Sequence, residues 1–548
     1  MVADTFIIGG YTMTMNQHLK SDIIKFANES NVEYKNYHMK KIIAKMESSF
    51  IEIRRIVNEL SDIASKNDDL VMSIDWILDN FYKVEEQINK LKTTTSKWEK
   101  VRLGILTNTE YEGWPQLCYV AKNLIESTNG NFDENIIVDF LKTYQNIKIF
   151  SIAEIWSFNT ILLLTLTEKI SEQSNIILNA QKNKMKALEL SLDSPSNVLT
   201  TVKNEIESNP GLSPIYIETI TKRLLNNKSG YSETFDFLNA KLKERNSTIE
   251  EIISISNLAQ SSTNIYIGNL FSSLNKVSKF NWNAIFEEVS VVEYILRGDP
   301  AEIYDKMDFD SRNYHRIKLE KMSHKYNIDE NKIASAAVNL SKDNKTEHKK
   351  NHVGYYILDK GKLKLLHSLN IKTSLKPTKD QLQYLYVLVI SLFIVISYTC
   401  FWIYFKDTYG NFASPLFVSL VLTIVLSDLF ITLLNYILQK SFPINFLPKL
   451  NFEHGIPEDQ KTFIVIPTLI SSTNHLDEIF NKMEVYFLGN KSDNLYLALL
   501  GEFMDSDTEF NKFDNELIKA ALNKTKELNK KYAGETPIFY YFQRKKTI

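Results

Sequence analysis

The sequence predicts a mainly α-helical protein in three parts: a long helical N-terminal region, a two-helix transmembrane hairpin and a truncated α/β half-domain. Three observations support this fold class. Apolar residues recur at three- and four-residue steps over most of the first 340 residues, two long apolar runs follow, and short β-branched runs then alternate with helical patterns. The predicted boundaries are 1–200 for helical region I, 201–375 for helical region II, 381–438 for the hairpin and 441–548 for the half-domain.

Composition excludes several classes of protein. The chain of 548 residues has a net charge of −2 with 24% charged residues, so nothing indicates nucleic acid binding. Cys118 and Cys400 are the only cysteines, which excludes a disulfide framework and a cysteine metal site. Neither a GxGxxG nor a GxxxxGK[ST] motif occurs, so a Rossmann fingerprint and a P-loop are excluded as well.

The helical N-terminal region contains two candidate helix starts. Asn131 is followed three residues later by Glu134, and Asn327 by Glu330, which is the spacing of a capping box. Proline and serine are concentrated in residues 192–214, which are therefore the candidate break between the two helical regions.

No catalytic constellation is apparent in this region. None of its histidines belongs to an H-E-x-x-H zinc motif. Three tryptophans in apolar settings are interpreted as core residues: Trp76, Trp114 and Trp156. The acidic cluster Asp305, Asp308 and Asp310 has the spacing of a metal loop, but a helix cap at Asp310 or Ser311 is the simpler interpretation.

Two apolar runs predict the transmembrane hairpin. Residues 381–405 carry no charge, and as a helix they would extend about 37 Å, enough to cross a hydrocarbon core of about 30 Å. Residues 412–438 carry a single charge, Asp428, and the short segment 406–411 joins the two runs. The alternative is a helical hairpin buried in a soluble core.

Basic residues predict the orientation of the hairpin. Lysines cluster before the first run and after the second, whereas the connecting loop holds only Lys406, offset by Asp407. The positive-inside rule then places both flanking regions in the cytoplasm. A carboxylate within a span costs about 3 kcal/mol, so Asp428 is expected to face other spans, either the first helix or helices outside this chain. The alternative is a neutral, protonated Asp428 that is exposed to lipid.

The C-terminal region predicts a β-α-β-α-β order. Strands are expected over 461–468, 495–500 and 537–544, with helices over 476–486 and 514–531 between them. Right-handed crossovers would place the three strands side by side in parallel, with their carboxyl ends at one edge. This order is typical of the front half of a doubly wound sheet.

Ligands of open α/β sheets bind at that carboxyl edge. The residues expected there are Pro467, Thr468, Gly501 to Asp505, Gln543 and Arg544. Two ionised carboxylates, Glu502 and Asp505, suit the ribose hydroxyls of a nucleotide because a carboxylate accepts several hydrogen bonds. The alternative, that Asp505 or Asp507 caps the next helix, is equally open.

Several segments of the chain resemble the N-terminal region of the cyclic β-1,2-glucan synthases. The most specific are DPAEIYDKMDFDSR and HVGYYILD, at 299–312 and 352–359. The others are IDWILDNFYKVEEQI at 74–88, GWP at 113–115, NFDENIIVDFLKTYQNIKIFSIAEIWSF at 131–158, the rest of 291–341, and the apolar strand and acidic turn after the hairpin. The resemblance extends from about residue 35 to the end of the chain.

The resemblance implies a glycosyltransferase of the bacterial inner membrane. Its expected reaction transfers glucose from UDP-glucose to a growing β-1,2-glucan, with Mg²⁺ or Mn²⁺ on the diphosphate. Pro467, Thr468, Glu502 and Asp505 would begin the nucleotide-sugar pocket, and Glu502 departs from the aspartate that the family usually carries. The catalytic base and the metal ligands are not assigned.

The end of the sequence leads to one further expectation. The half-domain stops at residue 548, soon after the third predicted strand. We therefore expect the N-terminal part of a longer enzyme, inactive alone, whose C-terminal part could be a separate chain. The alternative is a non-catalytic helical scaffold or regulatory subunit that is tethered to the membrane.

Overall fold

The computed structural model describes most of the chain. The described residues are 17–65, 72–95, 101–192, 194–208, 213–226, 230–244, 246–343, 349–371, 379–409, 413–441, 446–504 and 513–544. They form two compact units, residues 1–300 with 316–371 and residues 301–315 with 372–548. The predicted break between helical regions I and II lies inside the first unit.

The region before the hairpin is helical, as predicted. Its helices are α1 (Gln17–Glu29), α2 (Met39–Ala64), α3 (Met72–Thr95), α4 (Gln116–Ser127), α5 (Glu134–Gln145), α6 (Ile152–Glu189), α7 (Pro195–Ser208), α8 (Pro214–Asn226), α9 (Ser232–Lys243), α10 (Ile249–Val277), α11 (Trp282–Val289), α12 (Val291–Arg297), α13 (Phe309–Tyr326), α14 (Glu330–Lys342), α15 (Val353–Leu358) and α16 (Lys362–Ser368). Helix α6 has 38 residues and is buried on several sides, because α2, α4, α8 and α10 all pack against it.

A two-stranded antiparallel sheet in the first unit was not predicted. Strand β1 (Val32–Tyr37) pairs with β2 (Val101–Leu106), with Val32 opposite Leu106. The two strands are far apart in the sequence, and helices α2 and α3 lie between them. Local periodicity does not reveal such a pairing, because each strand is short and finds its hydrogen bonds only after the intervening helices have folded back.

The predicted helix caps are wrong by two residues. Helix α5 is capped by Asp133, whose Oδ1 accepts from the amide of Ile136 at 2.9 Å. Helix α14 is capped by Asp329, whose Oδ1 accepts from the amide of Asn331 at 2.8 Å. Asn327 has φ of +52°, which is incompatible with the extended backbone of an N-cap.

The glutamates that follow these caps bind other helices instead. Glu134 Oε1 accepts from the amide of Asn281 at 2.9 Å, just before α11. Glu330 Oε2 accepts from the amide of Ile152 at 2.8 Å, at the start of α6. Each carboxylate therefore satisfies an amide at the beginning of a neighbouring helix, where such donors lack an intrahelical partner.

The second unit contains the two apolar helices, α17 (Lys379–Tyr409) and α18 (Ala413–Ser441). Their apolar stretches, Tyr384–Asp407 and Pro415–Lys440, are long enough to cross a membrane. In the most apolar 18 residues of each stretch, only 6% and 11% are buried. The buried core of a soluble protein would show the opposite, so the exposed apolar surface favours the membrane interpretation.

The two apolar helices pack against each other in antiparallel fashion. Phe393 stacks on Phe430 with ring centroids 3.8 Å apart, and the hydroxyl of Tyr386 donates to Asn435 Oδ1 at 3.0 Å. Small polar residues lie buried between the helices, as is common in membrane-embedded pairs: Ser397, Ser419 and Thr423.

Asp428 does not face the first apolar helix. Its side chain is exposed, and at 3.6 residues per turn it points about 160° away from Phe430, which contacts α17. The expectation that Asp428 packs against the first helix is therefore wrong. The other expectation, a contact with helices outside this chain, stays a prediction.

After the hairpin, the strands and helices follow the predicted β-α-β-α-β order. They are β3 (Thr462–Ile470), α19 (Thr473–Gly489), β4 (Leu495–Phe503), α20 (Asp514–Tyr532) and β5 (Phe539–Gln543), preceded by a short 3₁₀ turn, Glu458–Gln460. The strands are parallel and adjacent in the order β3-β4-β5. Both helices share one apolar core with the sheet, which includes Leu476, Met483, Leu497, Leu499, Ala521 and Phe539.

Candidate functional site

The carboxyl edge of the β3-β4-β5 sheet is the candidate site. Strand β3 continues two residues beyond its predicted end at Thr468, which pairs with Gly501. Glu502 lies opposite Leu469, and Gln543 lies opposite Gly501 on the other side. Three of the predicted residues therefore lie close together at the carboxyl edge of the sheet, within one residue of each other in strand register: Thr468, Glu502 and Gln543.

The alternation of side chains along a strand divides these residues between the two faces of the sheet. Glu502 shares its face with Pro467, because Pro467 pairs with Leu500 and residues 500 and 502 point the same way. Thr468 pairs with Gly501 and so points to the opposite face, which α19 and α20 cover. Asp505 lies outside the described residues.

Glu502 is held by a residue at the end of the third strand. Arg544 Nη1 lies 3.1 Å from Glu502 Oε1, and the amide of Arg544 donates to the carbonyl of Gly501 at 2.8 Å. The side chains of Arg544 and Glu502 are 65% and 47% exposed, so their ion pair contributes about 1 kcal/mol at most to the free energy of unfolding. A ligand can displace such an exposed ion pair at little cost.

Gly501 is required at this edge by close packing. A Cβ atom there would lie 2.6 Å from Ile470 Cδ1 and 2.8 Å from Gln543 Oε1. Ile470 is buried in the core beneath the sheet, so it has little room to move. The glycine therefore lets the three strand ends close together, and Glu502 follows it directly on the open face.

The described part of this edge does not fit a divalent metal. Mg²⁺ and Mn²⁺ prefer several oxygen ligands, and Glu502 is the one carboxylate described here. Among the described residues of the whole chain, no group of three or more His, Cys, Asp or Glu side chains could hold a metal ion.

The segments that carry the family resemblance have structural roles in the first unit. Asp299 is buried, and its Oδ2 lies 2.7 Å from His352 Nδ1. Its Oδ1 accepts from the amide of Val353 at 3.0 Å, which caps α15. Gly361 packs on the Tyr355 ring, which would lie 2.5 Å from an added Cβ. The motif HVGYYILDKGK is therefore explained by helix capping and packing.

In the second unit, the acidic cluster before α13 binds the chain that leaves the hairpin. The cap of α13 is Asp308, which accepts from the amide of Ser311 at 2.9 Å, and not Asp310 or Ser311 as predicted. Although partial burial opposes it, hydrogen bonds from Ser311 lower the pKa of Asp308. Lys449 donates its amide to Ser311 Oγ at 2.8 Å. Residues 306–311 thus anchor the start of the half-domain, which the sequence did not reveal.

A search among curated proteins found a distant relative. No family model matches the chain. The chain is similar to "Cyclic beta-(1,2)-glucan synthase NdvB" of Rhizobium meliloti (strain 1021), with 22% identity over 513 residues. The match covers 90% of this chain and 18% of the relative, so the chain spans about a fifth of the relative's length. This similarity confirms the resemblance that the motifs predicted.

Proposed function

We propose that the chain is the N-terminal part of a membrane glycosyltransferase that transfers glucose from UDP-glucose to a growing β-1,2-glucan. The observation that carries the proposal is the similarity to a cyclic glucan synthase over 90% of the chain. A sheet with an acidic carboxyl edge is a suitable scaffold for a nucleotide.

In this proposal, the sheet edge holds the donor. The carboxylate of Glu502 accepts hydrogen bonds from the ribose hydroxyls once Arg544 has turned away from it. The released guanidinium of Arg544 then donates to the diphosphate, for which its planar geometry is suited. Pro467 would complete the pocket from β3 on the face of Glu502, and Asp505 would follow from β4, whereas Thr468, whose side chain points to the covered face, would contribute only its backbone. Glucosyl transfer also requires a general base at the acceptor hydroxyl, which no described residue of this edge supplies.

The proposal requires the edge to face the cytoplasm, where UDP-glucose is made. Lysines on both flanks of the hairpin support this orientation, with the protein in the bacterial inner membrane and the soluble regions before and after the hairpin inside. Single cysteines at positions 410 and 455 test it, in a variant without Cys118 and Cys400. An impermeant thiol reagent added to intact cells should label position 410 and not position 455; labelling of 455 alone would refute the topology.

Calorimetry with UDP-glucose tests the donor site. The full chain in lipid nanodiscs should bind UDP-glucose, and Glu502→Ala and Arg544→Ala should each weaken binding by about tenfold, since each removes a charge-assisted contact. Glu527→Ala is the matched control, because Glu527 is an exposed carboxylate on α20. No binding at millimolar UDP-glucose, or equal binding by all variants, would contradict the proposed pocket.

A second candidate is a non-catalytic scaffold tethered to the membrane. It is favoured by the structural roles of the motif residues Asp299 and Gly361 and by the lack of a metal site among the described residues. The genomic sequence that follows the codon of Ile548 separates the two candidates. A following reading frame with an acidic metal-binding motif would support a divided transferase, with the C-terminal part as a partner chain. Unrelated neighbouring genes would support the scaffold.

A further inference from the structure

A cavity in the first unit lies apart from the sheet edge, and its wall includes Trp114. The prediction of core tryptophans is wrong for Trp114, which is half-buried, and for Trp76, which is 38% exposed. The cavity has a volume of about 430 Å³ and is bounded by α2, α4, α6 and the loop over 107–115. Pockets that hold small ligands usually have between about 300 and 1,000 Å³. The cavity is therefore large enough for a ligand of more than one sugar ring.

The loop of this cavity is shaped by the GWP motif. Gly113 has φ of +81°, a backbone conformation that favours glycine. Its amide donates to the carbonyl of Leu106 at 2.9 Å, and the amide of Leu106 donates to the carbonyl of Trp114 at 3.0 Å. Pro115 is the N-cap residue of α4. These bonds close the loop and bring the rings of Trp114 and Tyr111 to the cavity wall.

The charges that line the cavity balance. The charged side chains that line it are Lys45, Lys122, Lys169, Glu110, Glu168 and Glu172. Lys45 Nζ lies 2.6 Å from Glu168 and 4.3 Å from the centroid of the Trp114 ring. Lys169 Nζ lies 2.7 Å from Glu126 and 2.8 Å from Glu172. The three positive and three negative side chains of the lining, together with Glu126 beside Lys169, give no net attraction for an anion, so a nucleotide sugar is disfavoured here.

We propose that this cavity binds a neutral oligosaccharide. A pyranose ring has an apolar face of C–H groups that stacks on an aromatic ring such as Trp114, where it displaces the Lys45 ammonium from the ring face. Its hydroxyl groups both donate and accept, so they bridge the ammonium and carboxylate groups of the pairs Lys45–Glu168 and Lys169–Glu172. The carbohydrate class follows from the cavity itself. The choice of a β-1,2-linked glucan as the sugar rests on the proposed function.

The test uses sophorose, the β-1,2-linked disaccharide of glucose. The full chain is placed in lipid nanodiscs, because a detergent with a sugar head group would compete for the cavity. Saturable binding at millimolar sophorose is expected from calorimetry and from a change in tryptophan fluorescence. Trp114→Leu should weaken binding at least tenfold. Trp76→Phe is the matched control, because Trp76 lies on α3, outside the cavity, and packs near Gly268.

Two further variants show whether a loss of binding comes from the cavity or from misfolding of the protein. Glu168→Gln keeps the shape of the side chain but removes its charge, and should weaken binding several-fold. Ser171→Phe places a large side chain at the cavity wall and should abolish binding while circular dichroism stays unchanged. Unchanged affinity in two folded cavity variants, or no saturable binding by the wild type, would overturn the proposal.

A parallel titration with UDP-glucose separates this proposal from the transferase. Glu502→Ala should weaken UDP-glucose binding about tenfold and leave sophorose binding unchanged, and Trp114→Leu should weaken sophorose binding and leave UDP-glucose binding unchanged. Binding of UDP-glucose without sophorose would refute the cavity proposal alone. Binding of sophorose without UDP-glucose would support the cavity as a carbohydrate site and count against the donor pocket.

Discussion

Replacing Glu330 by glutamine should remove a pH dependence of the free energy of unfolding. Glu330 is buried at the start of α14, and its Oε2 accepts from the amide of Ile152 at 2.8 Å. Burial raises the pKa of its carboxyl from an ordinary 4.5 to about 7, against the opposing hydrogen bond from Ile152, and the nearby Glu320 and Glu154 add to the rise. Glutamine keeps an acceptor oxygen for the same amide but does not ionise.

The sign and size follow from proton linkage. Between pH 4.5 and about 7, Glu330 holds its proton in the folded protein and loses it in the unfolded chain. The folded state then binds more protons, so its stability falls as the pH rises, by about 1.4 kcal/mol per unit. Over this window the loss is about 3 kcal/mol. Glu330→Gln does not suffer this loss, so it should gain about 3 kcal/mol relative to the wild type above pH 7.

Denaturant unfolding of the full chain at a series of pH values measures this difference. Trp156 reports on the same unit, since its ring stacks on Phe286 at 4.5 Å. Glu154 and Glu320 also have raised pKa values through burial, and because both interact with Glu330, the difference between the two proteins reports the Glu330 charge together with this interaction.

The control for this experiment is Glu134→Gln, which makes the equivalent exchange at α5, where Glu134 accepts from the amide of Asn281. It separates the effect of the buried carboxyl from the loss of a hydrogen bond to a helix start. A free-energy difference between the wild type and Glu330→Gln that does not change with pH would refute the reasoning.

Three other predictions concern stability and membrane insertion. Asp299→Ala removes both the cap of α15 and the bond to His352, and should lower the free energy of unfolding of the first unit by about 3 kcal/mol, as measured by denaturant titration. Gly501→Ala should destabilise the half-domain by about 1–3 kcal/mol through overpacking, whereas Gly489→Ala, with open space around it, should be close to neutral; equal effects in thermal melts would contradict the packing argument. Asp428→Leu should favour membrane insertion of the second apolar helix by about 3 kcal/mol in a translocon assay, and no change would mean that another helix already shields the carboxylate.

The sequence alone determined the features that repeat over short distances. The helices of the first unit, the two membrane-capable helices and the β-α-β-α-β order were all predicted from local patterns. Each such pattern is contained in a window of 10 to 25 residues, about the length of one element. The position of Glu502 at the carboxyl edge also followed, because parallel strands joined by right-handed crossovers place their ends together.

The tertiary structure alone decided which groups meet across the chain. It paired β1 with β2, turned Asp428 away from α17, placed Thr468 and Glu502 on opposite faces, and gathered Trp114 and Lys45 around one cavity. The two misplaced caps have the same cause, since the glutamates of the expected capping boxes bind other helices. Hydropathy and periodicity depend on neighbours in the sequence, whereas these contacts depend on loop closure between distant segments, which no local window contains.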